Sequence, residues 1–156
     1  MRRAVALMLV ATVGLAGAGC GTGNHFAKTR FVLHAGLAFG AFHRYIYKPY
    51  RQGAFRSGAP GRKRAIAKAL VAAAFTYHEI KQARKAANQD PKLRALGARL
   101  GGLTSSFGGL RGVLAGGAGL GALAAINRAI SSFSKRSAGA GAGITERAPP
   151  LKSATT

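Results

Sequence analysis

Residues 63–88 read KRAIAKALVAAAFTYHEIKQARKAAN. Ile66, Leu70, Ala73, Tyr77 and Ile80 recur at alternating intervals of four and three, which lays them along one stripe of an α-helix. The many alanines favour that conformation. Lys81, Arg84 and Lys85 near its end suit the negative pole of the helix dipole. The stretch predicts a long amphipathic helix, so the fold turns on what covers its stripe.

Working towards the N-terminus, residues 49–62, PYRQGAFRSGAPGR, predict a loop broken by Gly53, Gly58, Pro60 and Gly61. Before it stands FAKTRFVLHAGLAFGAFHRYIYKPY, residues 26–50, in which 31–42 carry no charge and are apolar on every side of a helical projection. A helix of that kind is buried in a core or in lipid. Its twelve uncharged residues are too few to cross a bilayer, which favours a central bundle helix. Pro49 disfavours helical conformation at Lys48 and predicts the helix end there. Gly36 and Gly40 form a small-xxx-small pair that would admit a second helix closely. Residues 21–25, GTGNH, read as a polar linker with Asn24 as a helix cap.

Towards the C-terminus, Asp90-Pro91 reads as a helix start, with Asp90 the cap and Pro91 the first helical residue. Leu93, Leu96, Leu100, Leu103, Phe107, Leu110 and Leu114 then form a regular seam. Eight glycines lie between Gly97 and Gly117. At about 1 kcal/mol each relative to alanine, they predict a helix that holds to around position 107, where the seam packs, and frays or breaks after it. Leu123, Ile126, Ile130 and Phe133 open a short amphipathic helix ended by Lys135 and Arg136. From Ser137 onward, SAGAGAGITERAPPLKSATT has too little apolar surface to order itself. The predicted fold is mainly α: a small antiparallel helical bundle over residues 20–136, preceded by a signal or anchor helix over 1–19 and followed by a disordered tail over 137–156. Its seams are satisfied internally or partly by self-association.

The first twenty residues, MRRAVALMLVATVGLAGAGC, place two arginines before an apolar run that leads through small residues to the single cysteine. That is the layout of a bacterial export signal. Three outcomes fit it. Cys20 is acylated after cleavage behind Gly19, although Gly17 stands where a lipobox usually has leucine; signal peptidase cuts after Ala18; or the segment stays uncut as an anchor. A lone cysteine cannot form an intramolecular disulfide, which leaves Cys20 suited to lipidation. The expected location is extracytoplasmic and membrane-associated.

Lys and Arg number 24 against three acids, Glu79, Asp90 and Glu146, for a net charge of +21 at pH 7. No salt-bridge network balances that surplus. The expected partners are anionic membrane lipid or cell-wall polymer, with nucleic acid a weaker alternative. The densest cluster is Arg44, Lys48, Arg51, Arg56, Arg62, Lys63, Arg64 and Lys68, with Tyr45, Tyr47, Tyr50 and Phe55 interleaved and no acid among them. These are the candidate anion-binding residues. Tyrosines beside cations suit the membrane–water interface, and equally suit packing at the end of a bundle.

Enzymatic motifs are weak. The three acids are scattered, and paired carboxylates are what glycosidic acid–base chemistry needs. His78-Glu79 begins like a zinc-protease HExxH helix, but Gln82 stands in place of the second histidine. His78 and Glu79 are therefore expected to be solvated helix residues. His34 reads as a hydrogen-bonded core histidine. His25, His34 and His43 lie nine residues apart, so successive members face opposite sides of a helix and form no single cluster. The glycine-rich stretch 101–121 lacks the phosphate-loop pattern and reads as flexible backbone. Neither a metal site nor a cofactor is expected, and no catalytic residue.

The short signal ending at a cysteine, HFAKTRFVLHAGLAFGAFHRYIYKPYRQGAF, the segment ANQDPKLRALGARL and the tail ITERAP together resemble small basic secreted or lipoprotein-like proteins of high-GC Gram-positive bacteria. The resemblance implies export and a helical fold, and brings no catalytic residues with it.

Overall fold

The computed structural model describes residues 22–116, 119 and 121–151. The expectations for residues 1–19, for Cys20 and for residues 152–156 lie outside the described residues. Helix α1 (Thr22–Phe42) continues through a π-turn (His43–Tyr47) into the short α2 (Lys48–Arg51). Helices α3 (Arg62–Asn88), α4 (Arg94–Gly116) and α5 (Gly121–Gly139) follow. The protein is mainly helical, with no strand among the described residues.

The all-apolar helix is the centre of the molecule. Phe31, Ala35, Ala38, Phe39, Ala41, Phe42 and Ile46 are fully buried. Phe133 of α5 packs against the rings of Phe31 and Phe39 at 6.3 and 5.9 Å, and Phe107 of α4 meets Phe42 edge-on at 5.5 Å. The α3 stripe packs beside them: Ala69, Ala72, Ala73, Thr76, Ile80, Ala83 and Ala87 are buried, and the Thr76 hydroxyl donates to the Ala38 carbonyl at 3.4 Å. Tyr77, which the spacing places on that stripe, is partly exposed instead. His34 meets Glu79 and Ala38 meets Thr76, so α1 and α3 pass in opposite directions. Among the described residues no helix is long and apolar enough to cross a membrane.

Several boundaries differ from the sequence reading. The linker expected at 21–25 is helical from Thr22. Pro49 does not end its helix. It has no N–H to give and crowds the carbonyl four residues back; the turn before it widens, the Lys48 N–H reaching the His43 carbonyl, and the helix runs on to Arg51. Helix α4 continues past Phe107 to Gly116. All seven seam residues from Leu93 to Leu114 are buried. At about 1.5–3 kcal/mol per buried side chain, they outweigh roughly 1 kcal/mol per glycine. Most of the α4 glycines face solvent, where a missing side chain forfeits no packing: Gly102, Gly109 and Gly112 have open space beside them. Asp90 is buried and its Oδ1 accepts the Lys92 N–H at 2.9 Å, so it caps as expected, although regular helix begins at Arg94 after a turn.

The largest departure is the tail. Residues 137–151 are not without order. Helix α5 extends to Gly139 and closes in a Schellman motif, with Ala142 N–H to the Ser137 carbonyl, Gly141 N–H to the Ala138 carbonyl, and Gly141 at φ +71°. The Ser137 hydroxyl donates to the Ala142 carbonyl. Residues 142–151 then lie as an extended strap along α1. The Arg147 N–H donates to the Gly36 carbonyl at 3.0 Å, the Tyr45 hydroxyl donates to the Pro149 carbonyl at 2.8 Å, and the Leu151 N–H reaches the same hydroxyl at 3.3 Å. Gly36 and Gly40 make this contact possible. A Cβ at Gly36 would strike the Thr145 carbonyl, and one at Gly40 would strike the Arg147 backbone. The small-xxx-small pair therefore receives an extended segment and not a helix.

Candidate functional site: a basic cleft at the π-turn

Where α1 passes through the π-turn, the strap and α5 stand on either side of it, and a cleft of about 780 Å³ opens between them. Arg44, Lys48 and Arg51, spaced four and three apart, line one wall. All three are exposed. Gly40 contributes bare backbone, and Tyr47 and Gln52 extend the wall. The opposite side carries Asn127 of α5 with Glu146 and Ala148 of the strap.

His43 ties these elements together. Its Nδ1 stands 2.6 Å from Glu146 Oε2 and its Nε2 stands 2.7 Å from Asn127 Oδ1. With Nδ1–H donating to the carboxylate, a doubly protonated ring donates to the Asn127 oxygen as well; a neutral ring accepts from the amide nitrogen once that amide is turned over. Either way both nitrogens are engaged within the chain. Aromatic rings continue the wall: Tyr47 stacks on Phe42 at 6.0 Å and lies 6.1 Å from Tyr50, and the Arg44 guanidinium sits 5.6 Å over the Tyr45 ring. A second cleft of about 350 Å³ shares Tyr47 and Arg51 and adds Tyr50, Phe55 and Arg56.

The eight candidate cations divide accordingly. Arg44, Lys48 and Arg51 converge on the larger cleft, and Arg56 lines the smaller one. Arg62 is half-buried and donates its Nε–H to the Phe55 carbonyl at 3.0 Å, pinning the loop before α3. Lys63, Arg64 and Lys68 are exposed on the first turns of α3 and line neither cleft.

The acids complete the electrostatic picture. Glu79 is buried and not solvated as expected; its Oε2 stands 2.6 Å from His34 Nδ1, so His34 is hydrogen-bonded as expected but is half-buried and lies outside the core. Glu146 is held by His43, and Asp90 accepts from backbone. Both ion pairs among the described residues are histidine–glutamate pairs, so no described Lys or Arg has a carboxylate partner. His78 is exposed and 3.4 Å from Gln82. Among the described residues no three His, Cys, Asp or Glu side chains come together as metal ligands would.

His43, Asn127 and Glu146 escape a reading of sequence because 84 and 103 residues separate the two partners from the histidine. The available hint was arithmetic: with three acids in the whole chain, each carries an unusual share of local structure. No protein-family model, curated protein or solved structure matches the chain.

Proposed function

We propose that this is a non-enzymatic, exported cell-envelope protein that contacts anionic membrane lipid or wall polymer through its basic helical domain. The leading segment exports it. Acylation at Cys20 then tethers it, or cleavage after Ala18 frees it, or the uncut segment anchors it. The observation that carries the reading is the cation surplus, 24 against three, with every acid occupied by a histidine or by backbone. Those cations need neutralising partners outside the chain.

Intact mass of the native protein from each cell fraction tests the export reading. An acylated or shortened chain in the membrane fraction is expected. A full-length, unmodified chain in the cytosol, pelleting with duplex DNA in preference to anionic vesicles, overturns it in favour of a nucleic-acid-binding role. That alternative draws on the tyrosines beside Arg51 and Arg56, which resemble a base-stacking surface.

A further inference from the structure

We propose that the cleft at the π-turn is a binding site for a phosphate ester, the phosphodiester of an anionic phospholipid headgroup, held by Arg44, Lys48 and Arg51. This rests on the anionic-partner reading above and narrows it to one site and one chemistry.

The geometry distinguishes this wall from the rest of a uniformly basic surface. Lys63, Arg64 and Lys68 are exposed and line no cleft, and the other clefts carry at most two cations each, as Lys28 with Arg147 or Arg30 with Lys85. Here three of them border a concavity of about 780 Å³, within the roughly 300–1,000 Å³ typical of small-ligand sites. Two are arginines, whose planar forks match two phosphate oxygens at once, and the third is a lysine, which supplies a compact charge. The single carboxylate on the cleft, Glu146, is already bonded to His43 and leaves the three cations unpaired by any acid. The Tyr47 ring offers an apolar edge for a glycerol backbone. The site is also assembled from three separate parts of the chain, so it exists only in the folded molecule with its strap in place.

The test uses the full chain and vesicles of phosphatidylglycerol in phosphatidylcholine, with glycerol 3-phosphate and inorganic phosphate as soluble competitors. Two variants remove equal charge. One is Arg44→Gln/Lys48→Gln/Arg51→Gln. The other is Lys92→Gln/Arg94→Gln/Arg99→Gln, at exposed positions around the start of α4 and away from the cleft. Circular dichroism and thermal unfolding confirm that both fold. The cleft variant is expected to lose about tenfold or more in vesicle affinity and the α4 variant no more than about threefold, since charge-assisted bonds in a formed site exceed diffuse attraction. Glycerol 3-phosphate is expected to compete for the cleft. Equal competition by inorganic phosphate would make phosphate itself the recognised group, free or esterified. Equal losses in the two variants, or no competition by either phosphate, overturn the site while leaving surface attraction intact. Failure of the unaltered chain to bind anionic vesicles at all overturns the anionic-lipid reading beneath it.

Discussion

Gly36 and Gly40 on α1 behave oppositely to the solvent-facing glycines of α4, and single substitutions separate the two roles. Gly36→Ala places a methyl group against the Thr145 carbonyl. The expected result is displacement of the strap and a loss of about 1–3 kcal/mol, typical of overpacking. Urea unfolding measures the loss, and faster hydrogen exchange at the Arg147 amide reports the displacement. Gly102→Ala and Gly112→Ala add a methyl group in open space. Each should stabilise α4 by about 0.5–1 kcal/mol through its reduced backbone entropy, read as a higher urea midpoint with an unchanged slope. A third comparison concerns His34 and the buried Glu79. Glu79→Gln keeps an oxygen to accept the His34 Nδ1–H, whereas His34→Leu leaves a buried carboxylate without its partner. His34→Leu should therefore be the more damaging of the two in thermal unfolding.

At the level of elements, α4 shows packing overriding propensity. Leu100 is fully buried in the seam. Leu100→Ala should cost about 2–5 kcal/mol, measured as a fall in unfolding free energy, far more than any one glycine costs. The same contrast explains what was legible in the sequence. Helix α3 could be bounded to within a residue, because its stripe and alanine content agree and nothing opposes them. The second half of α4 could not, because summed propensity carries no information about how deeply Leu110 and Leu114 are buried. The Pro49 helix end was misjudged for a related reason: the preference against a helical Lys48 is local, yet in the folded chain Lys48 keeps helical angles, φ −61° and ψ −51°, beside the fully buried Ile46. The strap was invisible in its own composition. Its order comes from Gly36, Gly40, His43 and Tyr45, about a hundred residues earlier. Of the candidate site, the cationic wall could be read from local spacing, while the side contributed by Asn127 and Glu146 depends wholly on tertiary contact.

For the whole molecule the governing quantity is self-repulsion. With 24 cations against three acids, the folded state holds like charges together that the unfolded chain spreads apart. Salt screens such repulsion over about 10 Å at 0.1 M. The melting temperature should therefore rise with sodium chloride between low and physiological ionic strength, and rise further at equal ionic strength with phosphate if the cleft takes that anion. Differential scanning calorimetry checks both, and a melting temperature that falls with added salt would count against repulsion as the main stress.

The strap also sets a timetable for biogenesis. Tyr45 bonds to residues 104 and 106 positions later, and the face of α1 at Gly36 is covered by the Thr145 backbone with the Ile144 side chain beside it. A growing polypeptide can pack α1 on α3 as soon as both are made, yet this one face of α1 stays uncovered until residues 142–151 have been synthesised.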